Sequence, residues 1–265
     1  MVERLKIFSK LQGGDVIHSE SNGKDGVRVS SSGWVSPHYS QSCAVDLDPA
    51  ALQANRCVGL ISDAPESDYY KVLRIQLRQR LKERRWNSVM VTSVHGGEGK
   101  TVTAINLAAM FAKEFDQTVL LVDCDLCRQP IQHYLGYRHD FGLVDHVMDG
   151  CPLDQIIVWP KVEKLTLISG GRTVADATEL LTSPRMAELV REMKDRYTDR
   201  LIFFDLPPLL GSADALSFAP LVDGIVVVVE EGRTPMPDIN KALKMLPEEK
   251  IMGLVLNKGS EKTRR

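Results

Sequence analysis

The segment Ser93-Val-His-Gly-Gly-Glu-Gly-Lys-Thr101 sets glycines at 96, 97 and 99 ahead of a Lys-Thr pair. Glycines at that spacing let backbone N–H groups converge on phosphate oxygens, and a helix starting there adds its positive dipole end. Lys100 is spaced to reach the β- and γ-phosphates of a nucleotide, and the Thr101 hydroxyl to hold Mg²⁺. A glycine-rich turn that only caps a helix is the plainer reading. The register of strand, Gly-Lys-Thr and helix favours the phosphate loop. The full G-x-x-x-x-G-K-[ST] pattern fails at its first position, which is Val94. Two acidic sites follow. Asp123 and Asp125 are spaced i, i+2, so both point to one side of an extended chain. Asp205 is followed by Leu206 and the double proline Pro207-Pro208. Carboxylates of this kind suit Mg²⁺, which takes oxygen ligands and retains several waters. Helix-capping or turn-forming carboxylates are the competing interpretation for all three.

These groups need elements to carry them. Val89-Met-Val-Thr92 reads as the strand before the loop and Thr101–Phe115 as the helix after it. Strands are expected at Ser88–Ser93, Thr118–Val122, Leu165–Ser169, Leu201–Phe204, Gly224–Val229 and Met252–Leu256. Further helices are expected at Asp68–Trp86, Ser183–Arg196 and Pro237–Leu246. Gly224–Val229 is so apolar that both of its faces must be covered. Short buried strands alternating with helices predict an α/β fold, a mostly parallel twisted sheet with helices on both faces. Both acidic sites then sit at strand C-terminal ends, where ligands bind in such sheets.

Composition narrows the class. The chain has 265 residues with a formal charge of −2, 43% hydrophobic and 26% charged residues, which suits a soluble domain with a real core. Five cysteines without a disulfide-like spacing point to a reducing compartment. The N-terminus lacks a secretory h-region, and no apolar run approaches the ~18 residues of a membrane span. A cytoplasmic location is expected. Residues 1–57 are expected to form a disordered Ser/Gly-rich tail, within which Val2–Leu11 is an amphipathic stretch that reads as a frayed helix. Residues 58–259 form the expected catalytic domain, and 260–265 a short basic tail.

Taken together, these motifs resemble the bacterial protein-tyrosine kinases of exopolysaccharide and capsule synthesis, within the P-loop NTPases that include partition and septum-site ATPases. The likeness runs from about Ala64 to Lys258. Gly97-Glu-Gly-Lys-Thr101 resembles the family's loop, Leu121–Leu126 its second acidic motif and Asp205–Asp214 its Walker B stretch. Glu179–Met186 and Gly253–Asn257 are also family-like. Val158-Trp-Pro160 and Ile168–Arg172 resemble chains accompanying exosortase-linked polysaccharide loci. The resemblance implies ATP and Mg²⁺ as cofactors. Gly96, Gly97, Glu98, Gly99, Lys100, Thr101 and Val102 would bind the nucleotide, with Asn257 near adenine. Lys100, Asp123 and Asp205 would be catalytic, Asp123 orienting or deprotonating the incoming hydroxyl. Thr101, Asp125 and Asp205 would hold the metal. It also implies a transmembrane polysaccharide chain-length-control partner at the inner membrane face, and a homo-oligomer through the helix carrying Asp68, Lys71 and Arg74.

The chain departs from the pattern in four places. His95 fills the slot of the partition ATPases' signature lysine, which weighs against a partition role. Cys127 stands at the arginine position of D-x-D-x-R, with Arg128 one place later. Asp68, Lys71 and Arg74 replace E-x-x-R-x-x-R and keep only the charge pattern. No tyrosine follows Tyr197, so autophosphorylation would need another acceptor, with Tyr39 the most accessible candidate, then Tyr69 and Tyr70. Cys124-x-x-Cys127 lies inside the acidic motif without a second pair and is not read as a zinc or redox site. The basic face of residues 71–85 reads as a solvated surface or a contact with an anionic partner, without the aromatics of a nucleic-acid binder. Two functions fit the motifs, a tyrosine-directed phosphotransferase and a non-kinase ATPase switch acting on a membrane partner.

Overall fold

The computed structural model describes residues 7–8, 43–175, 177–197 and 199–259. In chain order the strands are β1 (Ile7–Phe8), β2 (Cys43–Ala44), β3 (Ser88–Ser93), β4 (Thr118–Asp123), β5 (Ile157–Trp159), β6 (Leu165–Ile168), β7 (Arg200–Asp205), β8 (Gly224–Glu230) and β9 (Ile251–Asn257). The helices are α1 (Pro49–Ala54), α2 (Ser67–Arg84), α3 (Lys100–Ala112), α4 (Pro130–Leu135), α5 (Leu143–Asp149), α6 (Leu153–Ile156), α7 (Ala177–Leu181), α8 (Pro184–Asp195), α9 (Asp214–Phe218) and α10 (Met236–Lys244).

The strands form one sheet in the order β1-β9-β8-β3-β7-β4-β6-β5-β2. From β9 to β6 all neighbours run parallel, whereas β5 runs antiparallel to β6 and β1 antiparallel to β9. Alternation along each strand builds two cores. Val89, Val91, Val119, Leu121 and Phe203 face α2 and α3. Met90, Leu120, Val122, Ile202 and Phe204 face the layer of α5, α8, α9 and α10. With side chains buried on both faces, the strands read as continuous apolar runs, as parallel strands must. This is the expected α/β architecture. Among the described residues no helix is long and apolar enough to cross a membrane.

The differences lie at edges and ends. Helix α3 begins at Lys100 and stops at Ala112, short of Phe115, whose ring is 87% exposed and lies 5.5 Å from the Lys164 ammonium. Helix α2 stops at Arg84 because Arg85 turns left-handed at φ 56°, leaving Trp86 outside. Strand β5 and the helices α4 to α7 and α9 have no counterpart in the expected elements. They are three to seven residues long, too short to show a period.

The expected tail also changes. From Cys43 the chain is ordered: β2 pairs with Val158 and Trp159 of β5, and α1 follows with Leu52 and Cys57 buried in the core. Asp48 caps α1 by accepting the Ala50 N–H at 2.9 Å, with Pro49 at the first helical position. That Asp-Pro signal lies beyond the serine-rich composition that set the boundary at 57. In the stretch expected as a frayed helix, Ile7 and Phe8 pair as a strand with Val255 and Leu254. The rest of 1–42 and residues 260–265, Tyr39 among them, lie outside the described residues.

One buried-edge ion pair yields a stability prediction. The Asp223 carboxylate accepts from the Lys194 ammonium at 2.6 Å, the Ser88 hydroxyl at 2.7 Å and the Asn87 N–H at 3.1 Å. Burial alone would raise its pKa, but these donors outweigh it and hold the carboxyl below its usual value. A carboxyl lowered on folding stabilises the protein above its unfolded pKa and loses that contribution as pH falls through the folded one. Asp223→Ala should therefore cost about 1–3 kcal/mol at neutral pH. In denaturant titrations the gap to wild type should close in the acidic range; a gap constant with pH would contradict it.

Candidate nucleotide site

The loop of residues 94–99 leaves the central strand β3 and runs into α3. Gly97 and Gly99 sit in the left-handed region at φ 85° and 95°, a conformation that side-chain-bearing residues strain to adopt. The Lys100 ammonium lies 2.9 Å from Asp125 and 3.3 Å from Asp205. The Thr101 hydroxyl donates to the second Asp205 oxygen at 2.6 Å. Asp123 and Asp205 end β4 and β7 side by side in register. The structure thus gathers Lys100, Thr101, Asp123, Asp125 and Asp205 at the C-terminal ends of the central strands, all of them 9% exposed or less.

Asp123 is held by the backbone. One oxygen accepts the Asp125 N–H at 3.1 Å and the other the Ile131 N–H at 2.9 Å. It shapes the turn that carries Asp125 and caps the start of α4. Each oxygen thus accepts one backbone N–H, and the side chain has no exposed surface. Burial, then the neighbouring Asp205, push its pKa well above the ordinary carboxylate value. Asp205 is raised too, by burial, against the opposing pull of Lys100 and the Thr101 hydroxyl. Lys100 moves upward because the coulombic pull of Asp205 and Asp125 overcomes its own burial.

The expected nucleotide contacts divide into two groups. Glu98 and Asn257 build the loop. The Glu98 carboxylate accepts the His95 N–H at 2.9 Å and the Thr234 hydroxyl. Fully buried Asn257 donates its amide to the Glu98 carbonyl at 2.9 Å. Lys258 donates to the Gly97 carbonyl at 2.7 Å and pairs with Glu230 at 3.1 Å. Gly96, Gly97 and Gly99 line the loop, and Val102 is half-buried in the first turn of α3. His95 turns to Asp238 of α10 at 3.0 Å. Thr234, Asp238 and Lys258 carry no motif, so nothing in their local sequence marks them as loop supports.

The donor set fits a magnesium nucleotide. One ammonium faces three buried carboxylates, and a divalent cation would offset that anionic excess. Among the described residues no cluster of three or more His, Cys, Asp or Glu is set to hold a metal alone. Mg²⁺ bound through one or two carboxylates, a hydroxyl and substrate phosphates needs no such cage.

The tightness of the loop gives a test. A Cβ on Gly99 would lie 2.1 Å from the Asn257 amide nitrogen, whereas one on Gly97 would meet nothing within 4 Å. Gly99→Ala should lower the melting temperature and weaken nucleotide binding more than Gly97→Ala, which adds backbone strain alone, of order 1 kcal/mol. Equal losses from the two variants would contradict the packing described.

Comparison with known proteins identifies the family. The family model described as ParA, NUBPL iron-transfer P-loop NTPase, matches residues 85–261. The tyrosine-protein kinase YwqD of Bacillus subtilis is 31% identical over 193 residues, covering 72% of this chain and 80% of YwqD. The succinoglycan biosynthesis transport protein ExoP of Rhizobium meliloti is 30% identical over 75% of this chain, which spans 26% of ExoP. The kinase domain of the Escherichia coli tyrosine kinase ETK superposes with a TM-score of 0.69 at 25% identity, over 76% of this chain and 80% of that domain. The chain belongs to the ParA-type P-loop NTPases and, among them, to the bacterial tyrosine-kinase family.

Proposed function

We propose that the protein is a Mg-ATP-dependent phosphotransferase that moves the γ-phosphoryl group to tyrosine hydroxyls and thereby regulates exopolysaccharide synthesis or export. The observation that carries this is the cluster of Lys100, Thr101, Asp125 and Asp205 beneath the glycine loop. Mg²⁺, when bound, would supply positive charge that offsets the charge of the phosphates. Thr101, Asp125 and Asp205 would hold that ion and its waters. Lys100 would leave the carboxylates and turn to the phosphates, its place among them taken by the cation. Asp123 would fix the turn bearing Asp125, and Asn257 with Glu98 would fix the loop. The tyrosine kinases among its relatives favour transfer to protein over an ATPase switch. His95, held by Asp238 within the chain, suits a partition role poorly.

The proposal extends to a membrane partner and to self-association. The name of the relative ExoP, a succinoglycan biosynthesis transport protein, supports a partner in polysaccharide export, a transmembrane chain-length-control protein at the inner membrane face. Self-association would use α2, where Val72 and Ile75 are exposed. The expected interface charges already have partners within the chain: Lys71 pairs with Asp68 at 2.7 Å, and Arg74 with buried Glu114 at 3.1 Å. An oligomer through this helix would add apolar contacts to these pairs rather than depend on freeing them, and sedimentation of an Ile75→Glu variant tests that.

The test of function is incubation with Mg-ATP and a tyrosine-containing copolymer, read with a phosphotyrosine antibody. Transfer to the polymer is expected. Phosphate release without any phosphotyrosine would leave the switch in its place.

A further inference from the structure

The turn after Asp125 carries a cation that the motif does not account for. Arg128 is exposed, and among the described residues its side chain has no hydrogen bond or ion pair. Its guanidinium nevertheless lies over the phosphate loop: a Cβ built on Gly96 would sit 3.8 Å from Arg128 Nη1. The arm is held there by its own backbone, since the Arg128 and Gln129 N–H groups both donate to the Asp125 carbonyl, at 3.0 and 2.7 Å. Gln129 then turns left-handed at φ 45° and sends the chain into α4. The neighbouring Cys127, which stands where the family pattern has its arginine, points its thiol elsewhere, to the Val174 carbonyl at 3.5 Å. The other residue bordering Gly96, His95, is engaged by Asp238.

Charge calls for such a group. Asp123, Asp125 and Asp205 already outnumber Lys100, and a magnesium triphosphate adds further net negative charge. Arginine's planar fork suits two oxygens of one phosphate, and a guanidinium free of protein partners gives up no ion pair to bind them. Lys100 and Thr101 hold the helix end of the loop, toward the β-phosphate. Arg128 stands over its strand end, by Gly96.

We propose that Arg128 binds the terminal phosphate of the nucleotide from within the same chain, so that the site discriminates triphosphate from diphosphate and stabilises charge on the transferring group. The inference rests on the nucleotide-site reading above. Its test is calorimetric titration of wild type, Arg128→Ala and Arg128→Lys with Mg-ATP and Mg-ADP, alongside steady-state turnover. Arg128→Ala should bind ATP ~10–100-fold more weakly with ADP affinity unchanged, and kcat should fall ~10³-fold. Arg128→Lys should fall between, keeping the charge without the fork. Wild-type ATP preference and turnover in Arg128→Ala, or equal weakening toward both nucleotides, would overturn the assignment while leaving the nucleotide site intact. Wild-type protein that binds neither nucleotide would overturn the site reading and this inference together.

Discussion

Lys100→Met should abolish turnover of ATP, with kcat reduced at least ~10³-fold and a folded protein by circular dichroism. The side chain is nearly fully buried, and among the described residues its ammonium is the one positive group in direct contact with Asp125 and Asp205. Methionine keeps most of the stem's volume and removes the charge. Each lost charge-assisted contact to phosphate is worth about 1.5–3 kcal/mol, so binding should weaken along with rate. The apo variant leaves Asp125 and Asp205 without their cation, and a modest loss of thermal stability should accompany the loss of function. Stopped assays of phosphate release and calorimetric titration measure the two effects separately. Wild-type affinity and turnover in a folded variant would remove Lys100 from the site.

Asp205→Asn should produce the second large effect, directed at the metal. Asp205 accepts the Thr101 hydroxyl on one oxygen and faces Lys100 with the other. It is therefore the carboxylate that joins the loop's cation to its metal-binding hydroxyl. The amide is nearly isosteric and cannot offer two anionic oxygens to Mg²⁺ and its waters. Turnover should fall ~10²-fold or more, the apparent Mg²⁺ requirement should rise, and nucleotide binding without metal should change little. Asp125→Asn should follow the same pattern. Titrating Mg²⁺ at fixed ATP reads this directly; a variant equally impaired with and without metal would mark Asp205 as a structural residue.

How legible the site was depends on where its information lies. Lys100 and Thr101 were read from local spacing, because the strand, loop and helix that carry them are consecutive, and Asp125 and Asp205 were read from the apolar strands that lead into them. The central strands were equally plain, since their two buried faces force unbroken apolar runs. The loop-supporting bonds of Glu98 and Asn257 could not be read in advance, because they run to Thr234 and to the loop carbonyl and join segments far apart in sequence. Thr234, Asp238 and Lys258 left no local trace for the same reason. The short strands β2 and β5 were missed because two or three residues cannot display alternation. Asp123 shows the limit most clearly: its spacing to Asp125 announced a carboxylate pair, but only the Ile131 N–H bound to it reveals a side chain already committed to the backbone.

The most direct test of the central claim, that these buried carboxylates and Lys100 form a magnesium-nucleotide site, is isothermal titration of the purified chain with ATP in the presence and absence of Mg²⁺. The structure predicts saturable binding near one nucleotide per chain, strengthened by Mg²⁺ in wild type and no longer strengthened in Asp205→Asn. Absence of binding, or binding indifferent to Mg²⁺ in both proteins, would contradict it.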